Sequence, residues 1–331
     1  MSNPMPGRSL SFSLAINEAL HQTMAADPRV ILLGQGVKSP WYVGNTALGL
    51  LERFGEKRVI DTPVSENAMT GAAVGAAIAG MRPVVVHPRM DFMFYAFDPI
   101  INEAANWRYM SGGRSRAPVV FWGIINRRGE QAAQHSQAIQ AMFAHVPGLK
   151  VVMPSTPADA KGLMVAAIRH DDPVVFIDDR LLHRTVGEVP EAVYEVPIGK
   201  GVVRREGADV TVAACSSLVT EALEAAAALA GEGIGLEVID LRSVKPFDGA
   251  LILESIRKTG RLVVADPGWA SFGVSAEIAA FAAEKGFRVL KAPVARVALP
   301  DCPAPAARTL EEAYYPNRGD IAGAVRRTLA K

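Results

Sequence analysis

Apolar positions along this chain alternate between short unbroken runs and longer stretches with helical spacing. Val30–Gly34, Val84–Val86, Pro118–Gly123, Lys150–Pro154 and Val174–Ile177 are brief runs bounded by turn residues. Between them, Ser13–Asp27, Ala47–Phe54, Asp98–Gly112, Ser136–Phe143 and Ala158–Arg169 repeat with the period of a helix. Strands alternating with helices imply a parallel sheet covered on both faces. From Leu181 to Gly207 the rhythm stops, and charges, Pro190 and Pro197 mark a linker. A second alternation follows, with strands Asp209–Ala214, Gly235–Leu241, Arg261–Ala265 and Phe287–Ala292. Its helices are Leu218–Gly231, Ala250–Lys258, Val274–Lys285 and a last one from Asp320. The expectation is two parallel-sheet α/β domains, residues 1–185 and 208–331, joined by residues 186–207.

The most constrained stretch is VIDTPVSENAMTGAAVGAAIAGMRPVVVHP, from Val59 to Pro88, which reads as strand, turn, helix, strand. Past Asn67 its helix carries only Ala, Gly, Ile, Val, Met and Thr, so the pattern predicts a helix buried all round. Gly71, Gly75 and Ala79 recur every four residues, as do Ala68, Ala72 and Ala76, and these stripes let another backbone or a flat ligand come close. Glu66 stands in the first turn. It suits the helix dipole there, with Ser65 as N-cap, but burial around a carboxylate is also how functional sites perturb one.

Composition narrows the function classes. The chain has 331 residues, half of them hydrophobic and 21% charged, with a formal net charge of +1. No basic field points to nucleic acid, and no apolar stretch is long enough for a membrane span. The N-terminal MSNPMPGRSLSF has no apolar signal segment. Cys215 and Cys302 form no metal spacing, so free thiols and a cytoplasmic location are expected. Neither a G-x-G-x-x-G nor a G-x-x-x-x-G-K-[ST] occurs at a strand end.

Three polar positions join Glu66 as candidates. His135 lies in AAQHSQ, at the end of an irregular polar segment; catalytic residue and ordinary loop histidine weigh evenly there. His87 directly follows the Val84–Val86 run, where open α/β sheets bind ligands, although a satisfied histidine at the sheet rim is the plainer reading. Arg127, beside Arg128, could meet an anionic substrate or simply be solvated. Asp171-Asp172-Pro173 reads as turn chemistry, and His145 and His170 as turn residues. Residues alone give a two-domain α/β protein with a pocket at a strand edge holding Glu66, His87 and His135, and no reaction.

The runs FGEKRVIDTPVSENAMTGAAVGAAIAGMRPVVV, MDF, INEAANWRYMSGG, AAQHSQ, PGLKVVMPSTPADAKGLMVAAIRHDDPVVF and VIDLRSVKPFD resemble one family throughout. It is the beta subunit of thiamine-diphosphate-dependent 2-oxo acid dehydrogenases, of pyruvate, branched-chain and acetoin type. The resemblance implies a pyrimidine-binding domain and a transketolase-like C-terminal domain. It further implies assembly with an alpha subunit as α2β2, with a lipoyl acyltransferase core as acceptor in the standard case. Glu66 matches the glutamate that bonds N1′ of the cofactor's aminopyrimidine. Phe92 matches the aromatic packed on that ring, and Pro88 falls with it among the cofactor-binding positions. His135 matches the histidine that holds substrate or lipoyl group, and His87 and Arg127 fall among candidate substrate positions. Some members bind potassium through loop carbonyls; the matching positions are Val119, Ala167, Ile168, His170 and Asp172.

Departures accompany the resemblance. No G-D-G occurs, so the ligands for diphosphate and magnesium would come from the alpha subunit. Gln35 stands where members carry a glutamate that relays protons between active sites. Val86-His87-Pro88-Arg89 replaces a Glu-x-Gln/Met-Phe pattern, and WGIINRRGE replaces an R-x-P-x-G pattern. Two alternatives stay open: a biosynthetic transketolase-like or acyl-transferring enzyme with a sugar or other carbonyl acceptor, and a non-catalytic scaffold subunit.

Overall fold

The computed structural model describes residues 8–39 and 41–330, so most of the N-terminal segment weighed above lies outside the described residues. The chain divides into two compact units. One runs to Asn126 and resumes at Phe143–Ile198; the other comprises Arg127–Met142 and the chain from Gly199 onward.

In the first unit six strands lie in one parallel sheet: β1 (Val30–Gly34), β2 (Val59–Asp61), β3 (Arg82–His87), β4 (Val120–Ile125), β5 (Lys150–Val152) and β6 (Val174–Asp179). Their spatial order is β5-β6-β4-β3-β1-β2. Every residue of β1, β4 and β6 is buried, which is why these strands read as apolar runs rather than alternations. Helices α1 (Phe12–Ala26), α2 (Glu66–Ile78) and α3 (Pro157–Arg169) cover the sheet, with α1 packed against α3. Phe12, Ile16, Leu20 and Met24 of α1 join Val84, Trp122, Leu163 and Phe176 in its main core. The chain leaves β1 toward β2 on one side and leaves β3 toward β4 on the other. The crevice beyond the C-terminal ends of β1 and β3 is therefore a topological switch point.

The second unit has the order β11-β10-β8-β9-β7, from β7 (Val202–Arg205), β8 (Val210–Ala214), β9 (Leu236–Asp240), β10 (Leu262–Trp269) and β11 (Ala295–Leu299). All pairs are parallel except β7 on β9. Helices α4 (Ser217–Ala230), α5 (Val274–Gly286), α6 (Arg308–Tyr314) and α7 (Arg318–Leu329) flank it, α7 packing on α4. Both sheets fit the two-domain α/β expectation.

Several elements differ from the sequence expectation. The stretch read as a linker contains β7 and a short strand, Val186–Glu188, paired antiparallel with Ser9–Ser11. Both are short and charged, as edge strands are, and so carry little apolar signal. The strand expected at Phe287–Ala292 is a 3₁₀ turn at Phe287–Val289, and β11 begins only after Pro293, which has no N–H for a ladder. The helix expected from Ser136 starts at Gln140. Helix α2 is not buried all round. Ala68, Gly71, Ala72, Gly75 and Ala79 are exposed, and a Cβ added at Gly71 or Gly75 would meet nothing within 4 Å. Ser65 occupies the N-cap, but its side chain makes no capping bond.

Candidate functional site

A cavity of about 200 Å³ opens at the switch point of the first unit. Gln35 enters it from the end of β1, Glu66 from the start of α2, and His87, Pro88 and Arg89 from the end of β3. Phe92 and Tyr95 follow in the 3₁₀ segment Met90–Ala96. Glu66, the first residue of α2, sits at the positive end of the helix dipole. Among the described residues its carboxylate has no hydrogen-bond or ion-pair partner. The surrounding walls are mostly apolar, from Val64, Met69, Pro88 and Phe92.

His87 is fully buried, and this burial lowers its pKa to about 3, so the ring is neutral at ordinary pH. Its Nε2 lies 3.3 Å from Thr70 Oγ1, while Nδ1 is buried with no partner among the described residues. Gln35 Nε2 donates to Tyr42 Oη at 2.9 Å, fixing one wall. Gly36 makes that wall possible: its φ is +72°, and a Cβ there would overlap the Tyr42 ring at Cδ1. Tyr42 and Tyr95 escaped the sequence reading, and Arg89 entered it only as part of a departure from the family pattern. Arg89 had a signal, following His87 at a strand end; Tyr42 lies in a stretch that reads only as loop.

The structure thus brings Glu66, His87, Pro88 and Phe92 to one cavity. His135 and Arg127 lie in the second unit, on the Arg127–Met142 segment. Arg127 is buried, donates through Nη2 to the Pro267 carbonyl, and places its guanidinium 5.6 Å from the centre of the Tyr315 ring. His135 is half-buried.

The candidate potassium positions surround the end of α3. Arg82 Nη1 donates to the carbonyls of Ile168 at 3.0 Å and His170 at 3.1 Å, and its Nη2 to Asp171 Oδ1 at 2.8 Å. The Val119 carbonyl accepts from Val174 N at 3.0 Å. Arg116 pairs with Asp171, and Arg108 with Asp172 at 2.7 Å. The hydrogen bond from Arg82 is the main reason the Asp171 carboxyl stays below its usual range. Burial is the main reason the His170 pKa is lowered. An alkali ion at these carbonyls would have to share two of them with a guanidinium. Of the five candidate positions, Ile168 and His170 thus already have a cation of the chain on their carbonyls. Among the described residues, no group of three or more His, Cys, Asp or Glu side chains could hold a metal ion.

An unpaired carboxylate beside an aromatic wall fits a flat heterocycle with a polar edge. Comparison with known proteins identifies related domains and chains. Residues 8–185 match the transketolase pyrimidine-binding domain and residues 199–321 the transketolase C-terminal domain. The beta subunit of acetoin:2,6-dichlorophenolindophenol oxidoreductase from Cupriavidus necator is 45% identical over 332 residues, covering 97% of this chain and 98% of that protein. The pyruvate dehydrogenase E1 component subunit beta of Rickettsia felis is 43% identical over 313 residues, covering 95% and 96%. Among solved structures, a split-gene transketolase described as an inactive beta4 tetramer aligns with a TM-score of 0.78 and 25% identity, covering 98% of this chain and 99% of that one.

Proposed function

The chain belongs to the family of thiamine-diphosphate-dependent 2-oxo acid dehydrogenase beta subunits, built on the transketolase fold, and on that premise we propose that it works with an alpha subunit to decarboxylate a 2-oxo acid and pass on the acyl fragment. The observation that carries the reading is the unpartnered Glu66 carboxylate, among the described residues, at the mouth of a largely apolar cavity walled by Phe92.

When bound, thiamine diphosphate supplies a nucleophilic ring carbon and an electron sink for decarboxylation. Glu66 would hold the aminopyrimidine by accepting a hydrogen bond from its N1′ when that nitrogen is protonated, a charge-assisted bond. Phe92 and Pro88, which line the cavity, would pack against the ring. His87, neutral and buried, closes the cavity floor without adding charge. By the family resemblance, His135, which belongs to the second unit, would hold the substrate or the lipoyl group. Magnesium and the diphosphate fall to the alpha subunit, because this sequence has no G-D-G. We assign no potassium.

The exposed small-residue face of α2 supports close packing by another subunit, in keeping with an α2β2 assembly. A lipoyl acyltransferase is the proposed acceptor. The location is cytoplasmic in this reading, supported by two cysteines that are both free. Among the described residues, no helix is long and apolar enough to cross a membrane. A second reading, a transketolase-like enzyme with a sugar acceptor, draws on the Arg89 guanidinium in the cavity.

Co-expression with the alpha subunit separates these readings. The assembled complex is given pyruvate, 2-oxobutyrate and 2-oxoisovalerate with an artificial electron acceptor, and in parallel with aldose phosphates. Acceptor reduction by a 2-oxo acid is expected; ketose formation alone would favour the second reading. The isolated chain should bind thiamine diphosphate negligibly by calorimetry. Micromolar, magnesium-dependent binding would contradict the half-site.

A further inference from the structure

The segment Arg127–Met142 leaves the first unit after β4 and groups with the second. Its backbone is costly to hold: Arg128, Glu130 and Ala132 have φ values of 59°, 64° and 59°, in the left-handed region that side chains disfavour. Such conformations persist only where surrounding structure over-determines them, and they gather at functional sites.

Two buried carboxylates do the over-determining. Glu311, on α6, accepts the backbone N–H of Glu130 at 3.0 Å through Oε2, at the middle of the strained run. Asp266, on β10, accepts Gln140 Nε2 at 2.8 Å through Oδ1, near the segment's end. The same carboxylate accepts Gly268 N at 2.9 Å and, through Oδ2, Ser275 N at 2.8 Å in the first turn of α5, so it cannot drift. A Cβ on Gly268 would lie 2.8 Å from Gln140 Nε2, so glycine is what lets the two segments lie flush. Arg127 adds its contacts to Pro267 and Tyr315 at the other end. In sequence, His135 falls between these anchored positions.

We propose that Glu311 and Asp266 are positioning residues, which latch the Arg127–Met142 segment and thereby set where His135 stands when substrate binds. Neither touches a reacting atom. Burying a carboxylate is expensive unless it is hydrogen-bonded, and a strained backbone N–H is a worthwhile partner only if the strain serves a purpose. The proposal rests on the reading that His135 meets the substrate.

The test uses the complex assembled with its alpha subunit and loaded with thiamine diphosphate and magnesium. Glu311→Ala removes the acceptor, whereas Glu311→Gln keeps a carbonyl oxygen in the same place. Glu311→Ala should speed hydrogen–deuterium exchange across residues 127–142 and lower kcat by ~10–100-fold, with a smaller change in KM, as misplacement of a positioned group does. Glu311→Gln should restore both. If Glu311→Ala fails to assemble, Gln140→Met removes the donor to Asp266 at similar size and should loosen the segment's C-terminal half. Unchanged exchange in residues 127–142, or equal loss of activity in Glu311→Ala and Glu311→Gln, overturns the latch. His135→Ala with full activity would instead sink the reading beneath it, while the exchange result still answers to the latch alone.

Discussion

His87 Nε2 lies 3.3 Å from Thr70 Oγ1, joining the end of β3 to the second turn of α2 beneath the cavity. The histidine is fully buried, and burial alone lowers its pKa to about 3.

That burial fixes the sign of a pH effect. The unfolded chain takes up this proton near pH 6.5, whereas the folded chain refuses it until about pH 3. Between those values the unfolded state binds more protons. Stability from this group is therefore full above pH 6.5 and is lost as the pH falls, by up to about 1.4 kcal/mol per pH unit. Thermal unfolding of the assembled protein between pH 4.5 and 8 should show the fall, and His87→Phe should flatten it. An equally steep fall in His87→Phe would assign the effect elsewhere.

Gly36→Ala should damage the cavity wall. The αL conformation costs about 1–2 kcal/mol for a residue with a Cβ. The new methyl would also overlap the Tyr42 ring and push it from Gln35. A lower Tm and weaker thiamine diphosphate binding in the complex are expected together. Unchanged cofactor affinity would mean that Tyr42 does not shape the site.

Arg82 already occupies carbonyls at the end of α3, so we expect the stability of that end to be independent of potassium. Its guanidinium serves two carbonyls and Asp171. Arg82→Met should cost about 2–3 kcal/mol, as loss of charged hydrogen bonds does. The parent complex should unfold at the same temperature in potassium chloride and choline chloride of equal ionic strength. A potassium-specific rise in the parent Tm would show that an ion shares these carbonyls after all.

How far the sequence could be read depended on the range of the interactions. The strand ends and Glu66 at a helix start follow from local apolar pattern, and so both α/β layers were legible. The open face of α2 was not, because Ala68, Gly71, Ala72 and Gly75 carry no polar signal. Small residues look alike whether covered by their own chain or left open, and with two glycines this face has almost no side chain to read. The contacts of Arg127–Met142 reach Asp266 and Glu311, more than a hundred residues away, and no local period announces them. The same holds for Arg82 and the Ile168 carbonyl, which meet across 86 residues.

Glu66 carries the central claim. Glu66→Gln keeps the size and the helix and gives up only a dipole interaction of about 0.3–1 kcal/mol, so folding and assembly with the alpha subunit should survive. The function lost is acid–base, typically worth ~10²–10⁴ in rate. The direct measurement is hydrogen–deuterium exchange at C2 of bound thiamine diphosphate, in a complex whose assembly is verified by gel filtration. Exchange slowed by that factor in Glu66→Gln, with turnover of the best 2-oxo acid falling alongside, is the predicted result. Exchange and turnover equal to the parent's would leave Glu66 as a helix-start residue and contradict the account.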